Sequence, residues 1–124
     1  MSESDQQATI VRWWRLQYPQ LSKLLISSQS GAIIGGKNKF GSIAKLKKEG
    51  WQSGVPDLFI AVPKSGKHGL WIELKDVKKT EKALSEEQNK YLALLSEQGY
   101  EAIWCAGSDI AIAAIKTYMN EAKQ

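Results

Sequence analysis

Three ionisable residues sit in apolar runs where a buried sheet would otherwise carry none. Asp57 opens the run DLFIAV, and Glu73 and Lys75 lie inside GLWIELK. Side chains alternate along a strand, so Glu73 and Lys75 project from one face while Leu70, Ile72 and Leu74 project from the other. If the two runs pair as a hairpin, Asp57 reaches the same spot. Charges in such a place are costly unless they are paired or bind a metal. One reading is therefore a structural Asp–Lys or Glu–Lys bridge. The other is a kit for phosphodiester hydrolysis. Aspartate and glutamate are hard oxygen ligands suited to Mg²⁺, and a lysine two residues from a ligand can orient the attacking water or neutralise the pentacovalent state. Spacing alone leaves both open.

The elements that must position these residues follow from the hydrophobic periodicity. Asp5 to Tyr18 places Ile10, Val11, Trp13, Trp14 and Leu16 on one helix face before Pro19 ends the pattern. Leu24 to Ser28 fits a short strand, and the Gly-, Ser- and Lys-rich segment from Ser30 to Phe40 reads as a mobile loop. Gly41 to Glu49 reads as a short helix closed by Gly50. After the turn SGVP, DLFIAV and GLWIELK form a hairpin around a turn containing Pro63, Ser65 and Gly66. Leu84 to Gln98 is an amphipathic helix with Ser85 as N-cap and Gln88 at the capping-box position. YEAIWC is a further strand, and Ser108 is expected to cap a last helix carrying Ile110, Ile112, Ile115, Tyr118 and Met119. The order α-β-(α)-β-β-α-β-α predicts an α/β fold, a mixed β-sheet flanked by helices.

Composition narrows the class. The 124 residues fit one domain spanning 1–124, and 43% hydrophobic residues with five Trp supply a core. No basic leader precedes an apolar run, and no stretch approaches the ~18 apolar residues of a membrane span, so a cytoplasmic protein without a membrane partner is expected. The single cysteine, Cys105, lies in an apolar run and reads as a buried structural thiol. The net charge is +4, with Lys37, Lys39, Lys45, Lys47 and Lys48 in one cluster and Lys75, Lys78, Lys79 and Lys82 in another. Such clusters suit a polyanion such as DNA, although a solvated lysine-rich face carries the same pattern.

The string GVPDLFIAV…GLWIELK, with Pro56-Asp57 followed by Glu73-Leu74-Lys75, resembles the signature of the PD-(D/E)xK nuclease superfamily. The ordered series is similar to the VRR-Nuc (virus-type replication-repair nuclease) family. It comprises Trp13, Trp14 and Arg15, then Lys45–Gly50, Gly54–Leu58, Ile72–Lys75, Leu84–Gln88 and Gly99–Tyr100, and it covers nearly the whole chain. The resemblance implies a restriction-endonuclease-like fold and Mg²⁺ or Mn²⁺ held by Asp57 and Glu73 together with Leu74. It also implies a stand-alone, phage-type homodimer that cleaves branched DNA such as Holliday junctions. A sequence-specific or nicking endonuclease would use the same core. A non-catalytic basic nucleic-acid-binding module, with the three residues as an ion-pair network, is the alternative outside enzymes.

The superfamily often adds an acidic residue from the first helix. Here the matching position is Gln7, with Glu3 one turn earlier, so a neutral amide oxygen stands where a carboxylate is expected. Gln88 is both a capping-box residue and a family-like position facing the sheet. His68 reads as a turn residue away from Glu73, and Trp51, beside the loop before Gly54, is the tryptophan best placed for DNA contact.

Overall fold

The computed structural model describes residues 2–28 and 39–120, with the backbone alone described for residues 39–42. Helix α1 (Glu3–Gln17) opens on a capping box in which the Ser2 hydroxyl accepts from Asp5 N and the Asp5 carboxylate accepts from Ser2 N. A 3₁₀ turn (Pro19–Leu24) leads into β1 (Leu25–Ser27). Then come α2 (Lys39–Lys48), β2 (Leu58–Ile60), β3 (Leu70–Lys75), a second 3₁₀ turn (Glu81–Ala83), α3 (Glu86–Glu97), β4 (Glu101–Ala106) and α4 (Ser108–Asn120). The Gly- and Lys-rich segment expected as a loop falls outside the described residues, except that Lys39 and Phe40 already belong to α2.

The strands form one sheet in the order β1-β2-β3-β4. The expected hairpin is present: β2 and β3 pair antiparallel, with Leu58 opposite Ile72 and Ile60 opposite Leu70. Its turn places Ser65 and Gly66 at φ 48° and 81°, two consecutive positive values of the kind a tight hairpin turn requires. By contrast, β3 and β4 run parallel, with α3 as the crossover. The sheet is mixed and flanked by helices, as the sequence predicts.

Helices α1 and α4 cover one face of β3. The core there is Ile10, Trp14, Leu58, Ile60, Leu70, Ile72, Leu74, Ala111 and Ile115, all essentially without solvent exposure. Each fully buried Leu or Ile stabilises by about 1.5–3 kcal/mol relative to exposure. Two expected core positions are corrected. Leu16 is 78% exposed and Ile110 is 55% exposed, because the buried stripes are Gln6-Ile10-Trp14 on α1 and Ala111-Ile115-Tyr118-Met119 on α4. Ser108 is likewise not the residue outside the helix. It is the first residue of α4, and its backbone N–H is met by Gln6 Oε1 at 2.6 Å, an inter-helix cap that fastens α1 to α4.

Candidate active site

Strand β2 begins at Leu58, so the ladder to β3 stops at Leu58↔Ile72. Continuing that register by one residue puts Asp57 across from Glu73. Beyond the ladder, the Leu74 N–H would lack a partner on β2. Asp57 Oδ2 supplies one, accepting that hydrogen bond at 2.8 Å. The same bond holds the Asp57 carboxylate over the end of β3.

The approach to Asp57 is shaped by Gly54, whose φ is 83°, a value glycine adopts freely. A Cβ there would stand 2.9 Å from the backbone carbonyl of Glu87. The GVPD loop therefore lies directly on the first turn of α3. Next along that turn is Gln88, whose Nε2 donates to Glu73 Oε2 at 3.2 Å. The capping box of α3 is complete: Ser85 Oγ accepts from Gln88 N at 3.1 Å, and Gln88 Oε1 accepts from Ser85 N at 2.9 Å.

Glu73 is 4% exposed. Lys75 Nζ lies 3.8 Å from Glu73 Oε2, and its side chain is only 14% exposed. Burial raises the Glu73 carboxyl most. The Asp57 charge and a hydrogen bond with the Asp57 carboxyl add to this and outweigh the Lys75 ammonium, bringing Glu73 up to about 8. The Glu3 charge on α1 acts in the same direction. Two carboxyl groups are thus held so close that one keeps a proton at neutral pH. A divalent cation is the natural replacement for that proton, and Mg²⁺ is commonly held by one or two carboxylates with waters completing its shell. The donor set fits such an ion. Among the described residues, no group of three or more His, Cys, Asp or Glu side chains forms a richer metal cage.

The structure brings Asp57, Glu73, Lys75 and Gln88 together. Leu74 contributes to this cluster through its backbone N–H, and its side chain is buried on the opposite face. Gln7 is half-buried on α1 and donates from Nε2 to Ser27 Oγ on β1 at 3.3 Å. Sequence reasoning misses its buried neighbour Gln6. The available signal is a polar residue in an otherwise apolar i, i+4 stripe with Ile10 and Trp14. His68 is exposed in the hairpin turn, where its ring meets Tyr100 at 5.6 Å, away from Glu73. Cys105 is 2% exposed, and burial raises its thiol to about 11, as for a structural cysteine.

Lys45, Lys47 and Lys48 are exposed in the last turn of α2, where they also complement the helix dipole. Trp51 N donates to Leu46 O at 2.8 Å, so this basic turn leads straight into the loop that carries Asp57. Lys37 lies outside the described residues, as does the side chain of Lys39. No helix among the described residues is long and apolar enough to cross a membrane.

No curated protein matches the chain. A solved structure described as a VRR_NUC domain protein matches with a TM-score of 0.81 and 25% identity, covering 97% of this chain and 89% of its own. The VRR-NUC domain profile matches residues 1–109, a stretch that contains α1, the GVPD loop, the IELK strand and the start of α4. The chain belongs to the VRR-NUC domain family, nucleases of the PD-(D/E)xK type.

Proposed function

We propose that this protein is a Mg²⁺- or Mn²⁺-dependent endonuclease that cuts branched DNA as a homodimer inside the cell. The observation carrying this reading is the convergence of Asp57, Glu73 and Lys75 at the frayed end of the β2–β3 ladder, with Glu73 buried and its carboxyl raised by its neighbour. Asp57 and Glu73 would hold the cation, with the Leu74 backbone carbonyl completing the protein's share. When bound, the cation supplies Lewis acidity, making a water more acidic and offsetting charge on the phosphoryl oxygens.

The chain's own residues do the rest. Lys75, fixed beside Glu73, places an ammonium where it orients the incoming water and offsets the charge of the pentacovalent state. Gln88 holds Glu73 in one orientation from α3. Hydrolysis forms one P–O bond to the water oxygen and breaks the P–O bond to the leaving sugar oxygen, which gains a proton. Gln7 lies on α1, the helix from which related nucleases add an acidic ligand. It offers an amide oxygen, directly or through water, once its position is tuned by Ser27. Lys37, Lys39, Lys45, Lys47 and Lys48 would grip phosphates along the loop leading to Asp57.

Cutting two strands at a branch needs two sites, and a two-fold homodimer supplies them with matching symmetry. The deciding experiment incubates purified protein with labelled duplex, flap and four-way junction DNA, with Mg²⁺, Mn²⁺ or EDTA. Metal-dependent cuts, favouring the branched substrates, are expected. DNA binding without cleavage in any metal would instead identify a binding module whose Asp57, Glu73 and Lys75 form only an ion-pair network.

A further inference from the structure

The loop that delivers Asp57 also walls a second cleft. Between α2, residues 51–53 and α3 lies a space of about 660 Å³ whose lining includes Lys47, Trp51, Glu87, Lys90, Tyr91 and Leu94. That volume lies within the range of small-ligand clefts, about 300–1,000 Å³. Its chemistry is mixed in a particular way. Two aromatic rings and an exposed leucine, Leu94, give it flat apolar surface, while Lys47 and Lys90 are exposed cations. Lys90 pairs with Glu86 at 3.4 Å, but both side chains are well exposed, so the pair is weak and its ammonium remains available.

Two further observations point to a ligand and to its kind. The Trp51 ring lines the cleft while its Nε1 is buried with no hydrogen-bond partner among the described residues, so it is the ring's apolar surface and not its N–H that the cleft presents. The cleft is also contiguous with the catalytic cluster, because Glu87 adjoins Gln88 and packs its backbone against Gly54. The cleft therefore lies where the GVPD loop packs on α3, one helix residue from the side chain that holds Glu73. In a duplex the base faces are stacked and hidden, and only an unpaired nucleotide can offer a π-face to an aromatic side chain.

We propose that this cleft is a pocket for an unpaired nucleotide of the DNA substrate, with the base stacked on Tyr91 or Trp51 and its phosphate held by Lys47 and Lys90. This rests on the nuclease reading above and deepens it. It names the feature that separates a branched or flapped substrate from plain duplex, namely a base free to leave the stack near the scissile bond.

The test compares two fluorescently labelled duplexes carrying the same single-stranded arm, one with thymine bases and one with abasic sites, so that phosphate charge is equal. Binding to the wild-type protein is measured by anisotropy in EDTA, where no cleavage occurs. About tenfold tighter binding of the base-bearing arm is expected, the size of one good stacking contact. Tyr91→Leu and Trp51→Leu keep an apolar side chain but remove the rings, and each should bring the two arms to near-equal affinity without weakening the abasic arm. Lys90→Gln, at an exposed position, should weaken the base-bearing arm several-fold with little effect on thermal stability, since the pair it gives up with Glu86 is a solvent-exposed one. Equal binding of both arms by wild type overturns the proposal without any variant, as does an equal loss for both arms in a folded Tyr91→Leu protein. A second copy of the chain occluding the cleft, seen as protection of Lys90 from amine labelling on dimerisation, also overturns it. Cleavage with Mn²⁺ is scored separately on the same substrates. Absence of cleavage defeats the nuclease reading, whereas equal binding with intact cleavage defeats the pocket alone.

Discussion

Gln88 and Glu73 are joined by a 3.2 Å hydrogen bond from Nε2 to Oε2, and the same Gln88 side chain closes the capping box of α3 through Oε1. The start of a helix and the orientation of a buried carboxyl are thereby tied to one amide group. Only a side chain with both a donor and an acceptor can do both.

That coupling is separable by mutation. Ser85→Ala removes the cap acceptor and should cost about 0.5–2 kcal/mol of stability with little effect on turnover. Gln88→Glu keeps the cap acceptor but loses the donor to Glu73 and adds a third carboxylate, so cleavage should fall about tenfold or more while the fold persists. Denaturant melts and initial rates on a junction substrate distinguish the two. Equal losses of rate in both variants would mean that Gln88 serves only the helix.

The catalytic assignment makes a sharper demand. Glu73→Gln and Asp57→Asn each remove a ligand charge with almost no change of shape, and the amide oxygen introduced by Asp57→Asn could still accept from Leu74 N. Both should lose cleavage by about 10³-fold or more yet bind DNA in EDTA as wild type does, an effect in the range of removing a principal transition-state stabiliser. Lys75→Ala should be equally inactive but retain metal binding by calorimetry. Robust cleavage by either carboxylate variant would sink the site.

How far the sequence carried this reading depended on the kind of interaction. The alternation in GLWIELK placed Glu73 and Lys75 on the face opposite Leu70, Ile72 and Leu74, because period two is local to the chain. The hairpin and the Ser85–Gln88 box were readable for the same reason. What stayed hidden was long-range. Gln6 looks like any polar residue of a first turn until α4 arrives to give it the Ser108 N–H. Leu16 and Ile110 fit an amphipathic pattern yet face solvent, since one face of each short helix exhausts the area that the sheet offers. Nor could spacing reveal that Asp57 would substitute for a missing strand bond at Leu74.

The raised Glu73 carboxyl sets a pH dependence whose sign is fixed. Between its ordinary value of 4.5 and about 8, the folded protein retains a proton that the unfolded chain has released. Folding stability without metal should therefore decline as pH rises through that window and level off above it. A divalent cation must displace the same proton, so its apparent affinity should rise with pH, by at most about tenfold per unit, and flatten above about pH 8. Titration calorimetry in buffers of different ionisation enthalpy would register close to one proton released near pH 6.5. In Glu73→Gln both the stability slope and the proton release should disappear, and a slope that survives the substitution would place the titrating group elsewhere.

On α1, Gln7 and Glu3 offer contrasting tests of the helix's contribution. Gln7→Ala removes the amide that meets Ser27. It should raise the Mn²⁺ concentration needed for half-maximal cleavage several-fold, whereas Gln7→Glu should lower it by adding a charged oxygen ligand. Glu3→Gln relieves a charge that acts on Glu73 and should shift the pH profile of cleavage slightly downward, leaving metal demand unchanged when it is measured above about pH 8. Unaltered metal dependence in both Gln7 variants, with a changed one in Glu3→Gln, would transfer the ligand role to Glu3.

The lysines at the end of α2 should govern the salt dependence of binding. Lys45, Lys47 and Lys48 are exposed on the turn that Trp51 N ties to the loop carrying Asp57, so any phosphate they hold lies on the path to the catalytic cluster. Each phosphate contact releases condensed counterions, and log affinity falls against log salt with a slope of about 0.9 per contact in B-form duplex. The same three charges also face the C-terminal end of the α2 dipole, where removing them costs only about 0.3–1 kcal/mol each. Replacing all three with Ala should reduce the salt slope for junction binding by about two to three. The proton-coupled metal binding at Asp57 and Glu73 should be unaffected, because none of Lys45, Lys47 and Lys48 belongs to that hydrogen-bonded cluster. Anisotropy titrations across a salt series, wild type beside the triple variant, read the slope directly. A lower melting temperature with an unchanged slope would assign these lysines to the helix end alone and route the DNA over the other basic stretch, Lys78 to Lys82.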